Sequence, residues 1–224
     1  MPADVLKTQD TESRLRITEI FYSLQGESSF VGLPTVFIRL TGCPLRCGYC
    51  DTAYAFSGGE WMPVADILQN IKQYNASTIC VTGGEPLAQR SCGDLLTQLC
   101  DAGYRVSIET SGSLDISAVD SRVSRIMDIK TPGSGEESKN KYENIAHLTQ
   151  HDEVKFVLCN RADYDWSKDI INQYQLLQKT QVLFSPVHEG VAPNDLADWI
   201  IEDRLNVRFQ FQLHKFLWNN EPGR

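Results

Sequence analysis

At 224 residues the chain is long enough for one domain with a substantial core. Its 42% apolar and 22% charged residues are ordinary for a soluble globular protein, and no apolar run approaches the length needed to span a membrane. A formal charge of −8 gives no global basic footprint, which disfavours direct binding of tRNA or DNA, and seven cysteines, three of them crowded on one loop, suit a reducing, cytoplasmic compartment over a disulfide framework.

Residues 1–14 are polar, carry both charge signs and hold no apolar signal core, so they read as a flexible leader to a single domain over residues 15–224. A β-branched, apolar run at residues 35–40 predicts a strand leading into a loop with Cys43, Cys47 and Cys50. Val64, Ile67, Leu68 and Ile71 follow helical spacing. Residues 78–81 predict a buried strand closed by Thr82-Gly83-Gly84-Glu85-Pro86. Cys92, Leu95, Leu96, Leu99 and Cys100 form a second helical stripe, stopped at Gly103. Residues 104–108 are strand-like and end in Glu109-Thr110-Ser111-Gly112; residues 125–129 follow, then a Gly/Ser-rich loop at 131–137. Residues 154–158 predict a fifth strand, Trp166, Ile170, Tyr174 and Leu177 a helix, and residues 181–184 a sixth strand running into Ser185-Pro186. Pro193-Asn194 open a last helix with Leu196 and Ile200, and residues 207–213 predict a terminal strand.

Strands alternating with helices imply parallel βαβ units. About six units are too few for a closed eight-unit barrel, which leaves an open partial barrel or a flat doubly wound sheet. Polar or glycine chemistry follows each strand: the cysteine loop, Thr82 to Glu85, Glu109 to Gly112, Asp128-Ile129-Lys130 and Ser185-Pro186. In parallel α/β folds ligands bind beyond the carboxyl ends of the strands, so these loops converge on one rim.

Thiolates bind soft metals, and an iron–sulfur cluster is normally held by four of them. Cys43, Cys47 and Cys50 alone would leave one iron of a four-iron cluster open to a substrate or cofactor. Structural zinc wants four closed ligands; the next cysteine, Cys80, lies in an apolar strand and the nearest histidine, His147, is far along the chain. Core packing by the three thiols is disfavoured by Arg46, Gly48 and Asp51 beside them.

Cys-x-x-x-Cys-x-x-Cys after the first strand, with Gly83-Gly84-Glu85-Pro86 after the second, resembles the radical S-adenosylmethionine (SAM) superfamily. Within it, Phe21-Tyr22-Ser23-Leu24-Gln25-Gly26-Glu27, Cys50-Asp51-Thr52, Ile108-Glu109-Thr110-Ser111-Gly112 and His214-Lys215 resemble the 7-carboxy-7-deazaguanine synthase family. The resemblance implies an open partial (β/α)6 barrel of parallel strands with the active site at its C-terminal rim. It implies that Cys43, Cys47 and Cys50 hold a [4Fe–4S] cluster whose fourth iron takes SAM. Reductive cleavage of SAM would give a radical that takes a hydrogen atom from 6-carboxy-5,6,7,8-tetrahydropterin. Ring contraction with loss of ammonia would then give 7-carboxy-7-deazaguanine.

By the same resemblance, Tyr49, Cys50, Asp51, Gly84, Asp128, Ile129, Lys130, Ser185, Pro186 and Val187 line the cofactor site. Many relatives carry Ser-Pro-Lys at 128–130, so this chain departs there at Asp128 and Ile129. Leu24, Gln25, Gly26, Arg39 and Thr82 would meet the substrate, Arg39 through its carboxylate, and Thr52 would ligate Mg²⁺. An electron donor such as a flavodoxin or ferredoxin and a homodimeric state are implied; direct nucleic-acid or membrane partners are not. Cys80, Cys92, Cys100 and Cys159 read as packing residues, and Glu85 and Glu109 receive no role. The rival readings are another compact radical enzyme, such as a glycyl-radical-enzyme activase, and a non-catalytic zinc-binding adaptor.

Overall fold

The computed structural model describes residues 13–188, 190–219, 221 and 223. Most of the expected leader, residues 1–12, lies outside the described residues, and Arg14 already belongs to a strand. The strands are β1 (Arg14–Leu24), β2 (Pro34–Leu40), β3 (Glu60–Pro63), β4 (Thr78–Gly83), β5 (Arg105–Thr110), β6 (Ser124–Asp128), β7 (Glu153–Leu158), β8 (Gln181–Pro186) and β9 (Arg208–Phe209). The helices are α1 (Val64–Ile71), α2 (Cys92–Asp101), α3 (Arg161–Tyr174), α4 (Leu176–Lys179), α5 (Pro193–Glu202) and α6 (Leu213–Trp218). Among the described residues the strands form one open sheet in the order β3-β1-β2-β4-β5-β6-β7-β8-β9. From β2 onward along that order every pairing is parallel, giving the partial barrel.

Strands buried on both faces read as continuous apolar runs, which is why the six long parallel strands were legible. β1 was not. It pairs antiparallel with both β2 and β3, burying Leu15 and Ile17 and leaving Arg14 exposed, the half-buried alternation of an edge region. The expected terminal strand over 207–213 shrinks to Arg208–Phe209. Gln210 N extends the ladder by one bond to Phe184 O (2.9 Å), and Leu213 N then turns to Gly26 O (3.0 Å) to begin α6. Two crossovers also lack an α-helix. Between β5 and β6, and between β6 and β7, irregular chain and short 3₁₀ turns supply Ile116, Val119, Val123, Ile145 and Leu148 to the core instead.

The helices that are present bury one face each: Val64, Ile67 and Ile71 from α1, Leu95, Leu96 and Leu99 from α2, and Tyr164, Ile170 and Ile171 from α3. Asn160 caps α3, its side chain accepting from Asp163 N at 3.1 Å.

A buried ion pair joins β6 to the turn before β7. Arg125 Nε and Nη2 donate to Asp152 Oδ1 (2.9 Å) and Oδ2 (2.7 Å), and Thr149 N donates to the same carboxylate at 2.8 Å. Burial would raise the Asp152 pKa, but these bonds outweigh it and hold it below the usual carboxylate range. Its contribution to stability is therefore present above the ordinary carboxylate pKa and lost as pH falls through the depressed one. Arg125→Met strands this carboxylate, and we expect it to lower the unfolding free energy by about 3–5 kcal/mol in urea titrations at neutral pH.

Candidate active site

The carboxyl ends of the parallel strands surround a cavity of about 910 Å³. Strand alternation decides which residues reach it. Ile126, Asp128 and Lys130 face it from β6 and its extension, while Met127 and Ile129 turn into the apolar core. Lys155, Val157 and Cys159 face it from β7, while Val154, Phe156 and Leu158 are fully buried behind.

Cys43, Cys47 and Cys50 lie partly exposed on the cavity wall. Their loop is pinned from two sides. Gly48 N donates to Ser134 O (3.0 Å) and Arg46 N to Glu136 Oε1 (2.6 Å), while Arg46 stacks over Phe56 at 4.3 Å. From β4, Glu85 N donates to Gly42 O at 2.8 Å. Gly84 sits so close beneath the loop that an added Cβ would lie 2.2 Å from Gly42 O and 2.8 Å from Cys43 Cβ. Glu85 itself is fully buried and accepts from Leu87 N, Thr110 Oγ1, Ser111 N and Ser111 Oγ, so it braces the β4 and β5 loops.

Burial raises the pKa of the Cys43 and Cys47 thiols, and Cys50 adds to the rise at both. Bound iron would reverse that balance by drawing out the thiolates. Among the described residues no three Cys, His, Asp or Glu side chains converge on a single ion. Structural zinc closes its site with four side chains, whereas a cluster asks each thiol to reach a different iron. The donor set fits the cluster.

Next to the thiols, Tyr49 Oη and Asp128 Oδ1 are buried without a hydrogen-bond partner, on residues that line the cavity. Buried polar atoms are normally paired, so both suit the polar groups of a bound molecule. Lys130 Nζ holds the other Asp128 oxygen at 2.9 Å. Ser185 and Val187 complete this wall, but two expected residues do not: Ile129, 3% exposed, packs in the core, and Pro186 is not on the lining. In both cases the pleat turns the middle residue of a consecutive triplet away.

The same cavity is lined by Leu24, Gln25 and Gly26 at the end of β1 and by Thr82 from β4. Thr82 Oγ1 donates to Glu109 Oε2 (3.0 Å), whose other oxygen lies 3.5 Å from Gln25 Nε2. Arg39 already has a carboxylate: its Nε donates to Glu19 Oε1 at 2.6 Å, and its guanidinium lies between the rings of Phe21 and Tyr54, 5.8 Å from each. Glu19 and Arg39 are register partners across β1 and β2, a pairing hidden as long as β1 was not read as a strand. Thr52 Oγ1 donates to Asp51 Oδ1 at 2.8 Å, and Asp51 Oδ2 meets Lys215 Nζ at 2.8 Å. Burial favours the neutral Asp51 carboxyl, yet Lys215 holds its pKa far below the usual range. One hydroxyl makes a poor Mg²⁺ site alone, so the ion fits here only with waters and substrate oxygens.

The family model described as Radical SAM superfamily matches residues 37–199. The chain is 42% identical to the 7-carboxy-7-deazaguanine synthase of Koribacter versatilis, over 92% of the chain and 98% of that protein. It is 44% identical to the enzyme of the same name from Chlorobaculum tepidum, over 93% and 96%. This chain belongs to the 7-carboxy-7-deazaguanine synthase family of the radical SAM superfamily. The crystal structure of QueE from Escherichia coli shares the fold, with a TM-score of 0.75 at 23% identity over 90% of this chain and 95% of that one. Streptococcus suis SuiB bound to S-adenosylmethionine shares it more loosely, at TM-score 0.57 and 14% identity over 76% and 48%. Membership makes the chain a radical SAM enzyme, whose cofactors are a [4Fe–4S] cluster and SAM. No helix among the described residues is long and apolar enough to cross a membrane.

Several cavity residues of this synthase-family chain have no site role in the sequence reading. Glu109 was seen but left without a role, and Cys159, expected to be packing, stands on the cavity wall. Gln212, His214 and Lys215 reach it from α6 and the residue before it; Gln212 Nε2 donates to Glu27 Oε1 (2.8 Å), and the His214 ring occupies the space a side chain at Gly26 would need. Lys155 is the most telling omission, since a lone charge inside Val154-Lys155-Phe156 is itself a signal.

Proposed function

We propose that this protein converts 6-carboxy-5,6,7,8-tetrahydropterin to 7-carboxy-7-deazaguanine and ammonia. The observation that carries the reading is one cavity lined by two chemically distinct groups: three thiols over a backbone cradle at Gly84, and the Gln25–Thr82–Glu109 polar cluster. When bound, the cluster and SAM supply the one-electron chemistry that no side chain provides.

The chain's own residues bind and orient. Cys43, Cys47 and Cys50 would hold the irons, and Gly84 would leave room for the cofactor at the strand end, where a side chain would intrude. Tyr49 Oη and Asp128 Oδ1 take up hydrogen bonds to SAM, with Asp51, Lys130, Ser185 and Val187 completing the pocket. Glu109 accepts from the amino edge of the pterin as a charge-assisted acceptor, Gln25 and Thr82 bond beside it, and Leu24 and Gly26 offer backbone groups. Glu19 fixes Arg39 through Nε, so the rest of its planar fork is pre-aimed at the substrate carboxylate. Thr52 would contribute one oxygen ligand to Mg²⁺. Residues 15–224 work as one domain, in a cytoplasmic homodimer reduced by a flavodoxin or ferredoxin.

Anaerobic incubation with reductant, SAM, Mg²⁺ and the carboxylated pterin tests this. Mass analysis should show the deazaguanine carboxylate appearing as pterin disappears. Pterin left intact while SAM is cleaved would overturn the substrate assignment.

A further inference from the structure

Lys155 has no task in the proposed reaction, yet it sits at the centre of the site's charges. It projects into the cavity from β7, its side chain 11% exposed. Its Nζ meets Glu27 Oε2 at 2.7 Å and lies 3.8 Å from Asp128 Oδ2. Asp128 is its register partner on β6 and pairs in turn with Lys130 at 2.9 Å. Glu27 follows Gln25 and Gly26, and its free oxygen accepts from Gln212. Charges therefore alternate along one line, Glu27–Lys155–Asp128–Lys130. One end belongs to the segment placed at the pterin and the other to the segment placed at SAM.

The line is electrostatically interdependent. Burial disfavours the Lys155 ammonium, but Glu27 and Asp128 outweigh it and hold its pKa above the ordinary value, while Lys155 holds the Glu27 pKa down against the upward pull of burial. Without the ammonium, Glu27 and Asp128, whose side chains are only 11% and 14% exposed, would confront each other as like charges. Each segment would also lose the contact that fixes it relative to the other.

We propose that Lys155 is a positioning residue that couples the two halves of the site, so that pterin and SAM each tighten the other's binding. Ordering of the Gln25–Glu27 segment around the pterin fixes the ammonium, and through it the Asp128 carboxylate whose Oδ1 awaits a partner. Because the coupling is a free energy shared between sites, its factor is the same in both directions. The inference rests on the function proposed above.

The test is calorimetric binding to the anaerobically reconstituted protein, with SAM titrated in the presence and absence of pterin, and the reverse. The wild-type protein should show about tenfold mutual tightening. In Lys155→Met the factor should fall towards one at unchanged iron content, and Lys155→Arg, which keeps charge and reach, should retain most of it. Asp128→Asn breaks the opposite end while leaving the Lys155–Glu27 pair, so it must show the same loss even if Lys155→Met fails to fold. Coupling that is absent from the wild type, or that survives intact in a folded Lys155→Met or Asp128→Asn protein, overturns the proposal. A wild-type protein that binds SAM but no pterin overturns the functional reading itself, and this inference with it.

Discussion

Cys47→Ala, reconstituted without oxygen, is expected to lose SAM cleavage to background while its apoprotein melts where the wild type does. Cys47 stands partly exposed on the cavity wall, outside the core cluster that holds the sheet together, so its sulfur contributes little to packing. Its loop is held by other contacts, from Gly48 and Arg46 to Ser134 and Glu136. Three protein ligands are already one short of the usual four, and a second empty corner leaves the cluster anchored by two thiolates. Iron and sulfide content, visible absorbance and methionine release read the effect together. Cys92→Ala is the matching control, because Cys92 is 1% exposed at the first residue of α2, packed in the core, and its loss should leave cleavage intact. A Cys47→Ala protein with a full cluster and normal cleavage would falsify the ligand assignment.

Gly84→Ala should be among the most damaging single methyl groups in the site. The new Cβ would meet Gly42 O at 2.2 Å and Cys43 Cβ at 2.8 Å. These are backbone and near-backbone atoms, which cannot swing aside as the end of a long side chain can. Either β4 or the cysteine loop must shift, and overpacking of this kind costs about 1–3 kcal/mol. The shift also moves Cys43 relative to Cys47 and Cys50 and fills the cradle, so SAM affinity should fall by about 5- to 150-fold, the equivalent of that strain energy if it is relieved only in the unliganded state. Gly48→Ala, in the same loop but with nothing within 4 Å of the added carbon, should bind SAM normally. Equal affinities for the two variants would remove Gly84 from the cofactor wall.

How much of this could be read in the sequence follows from the range of each interaction. The parallel strands announce themselves because both faces are buried, and the cysteine loop because its ligands are eight residues from end to end. Helix α1 was visible in the spacing of Val64, Ile67 and Ile71. β1 was not, since an antiparallel strand with a half-exposed face carries a weaker pattern, and its motif residues drew attention away from its pairing. With β1 unread, Glu19 could not be set opposite Arg39, and the arginine was assigned wholly to the substrate. Glu27 and Lys155 are 128 positions apart and meet at 2.7 Å only because the sheet curls the first loop over the seventh strand. No local pattern encodes such a pair. Ile129 and Pro186 stand off the cavity lining because a pleated strand offers only alternate side chains to one side, which a contiguous triplet in the sequence does not reveal.

That two-residue rhythm has a genetic corollary at β6. Point changes at Ile126 or Lys130 alter one contact each, but losing a single codon anywhere between Asp128 and Lys130 changes the parity of everything downstream in the strand extension. With Asp128 lost, for example, the Lys130 ammonium would be pressed into the layer now filled by Ile129, and the isoleucine handed to the cofactor side. Length, more than residue identity, should therefore be the invariant of this stretch, with deletions tolerated only in pairs.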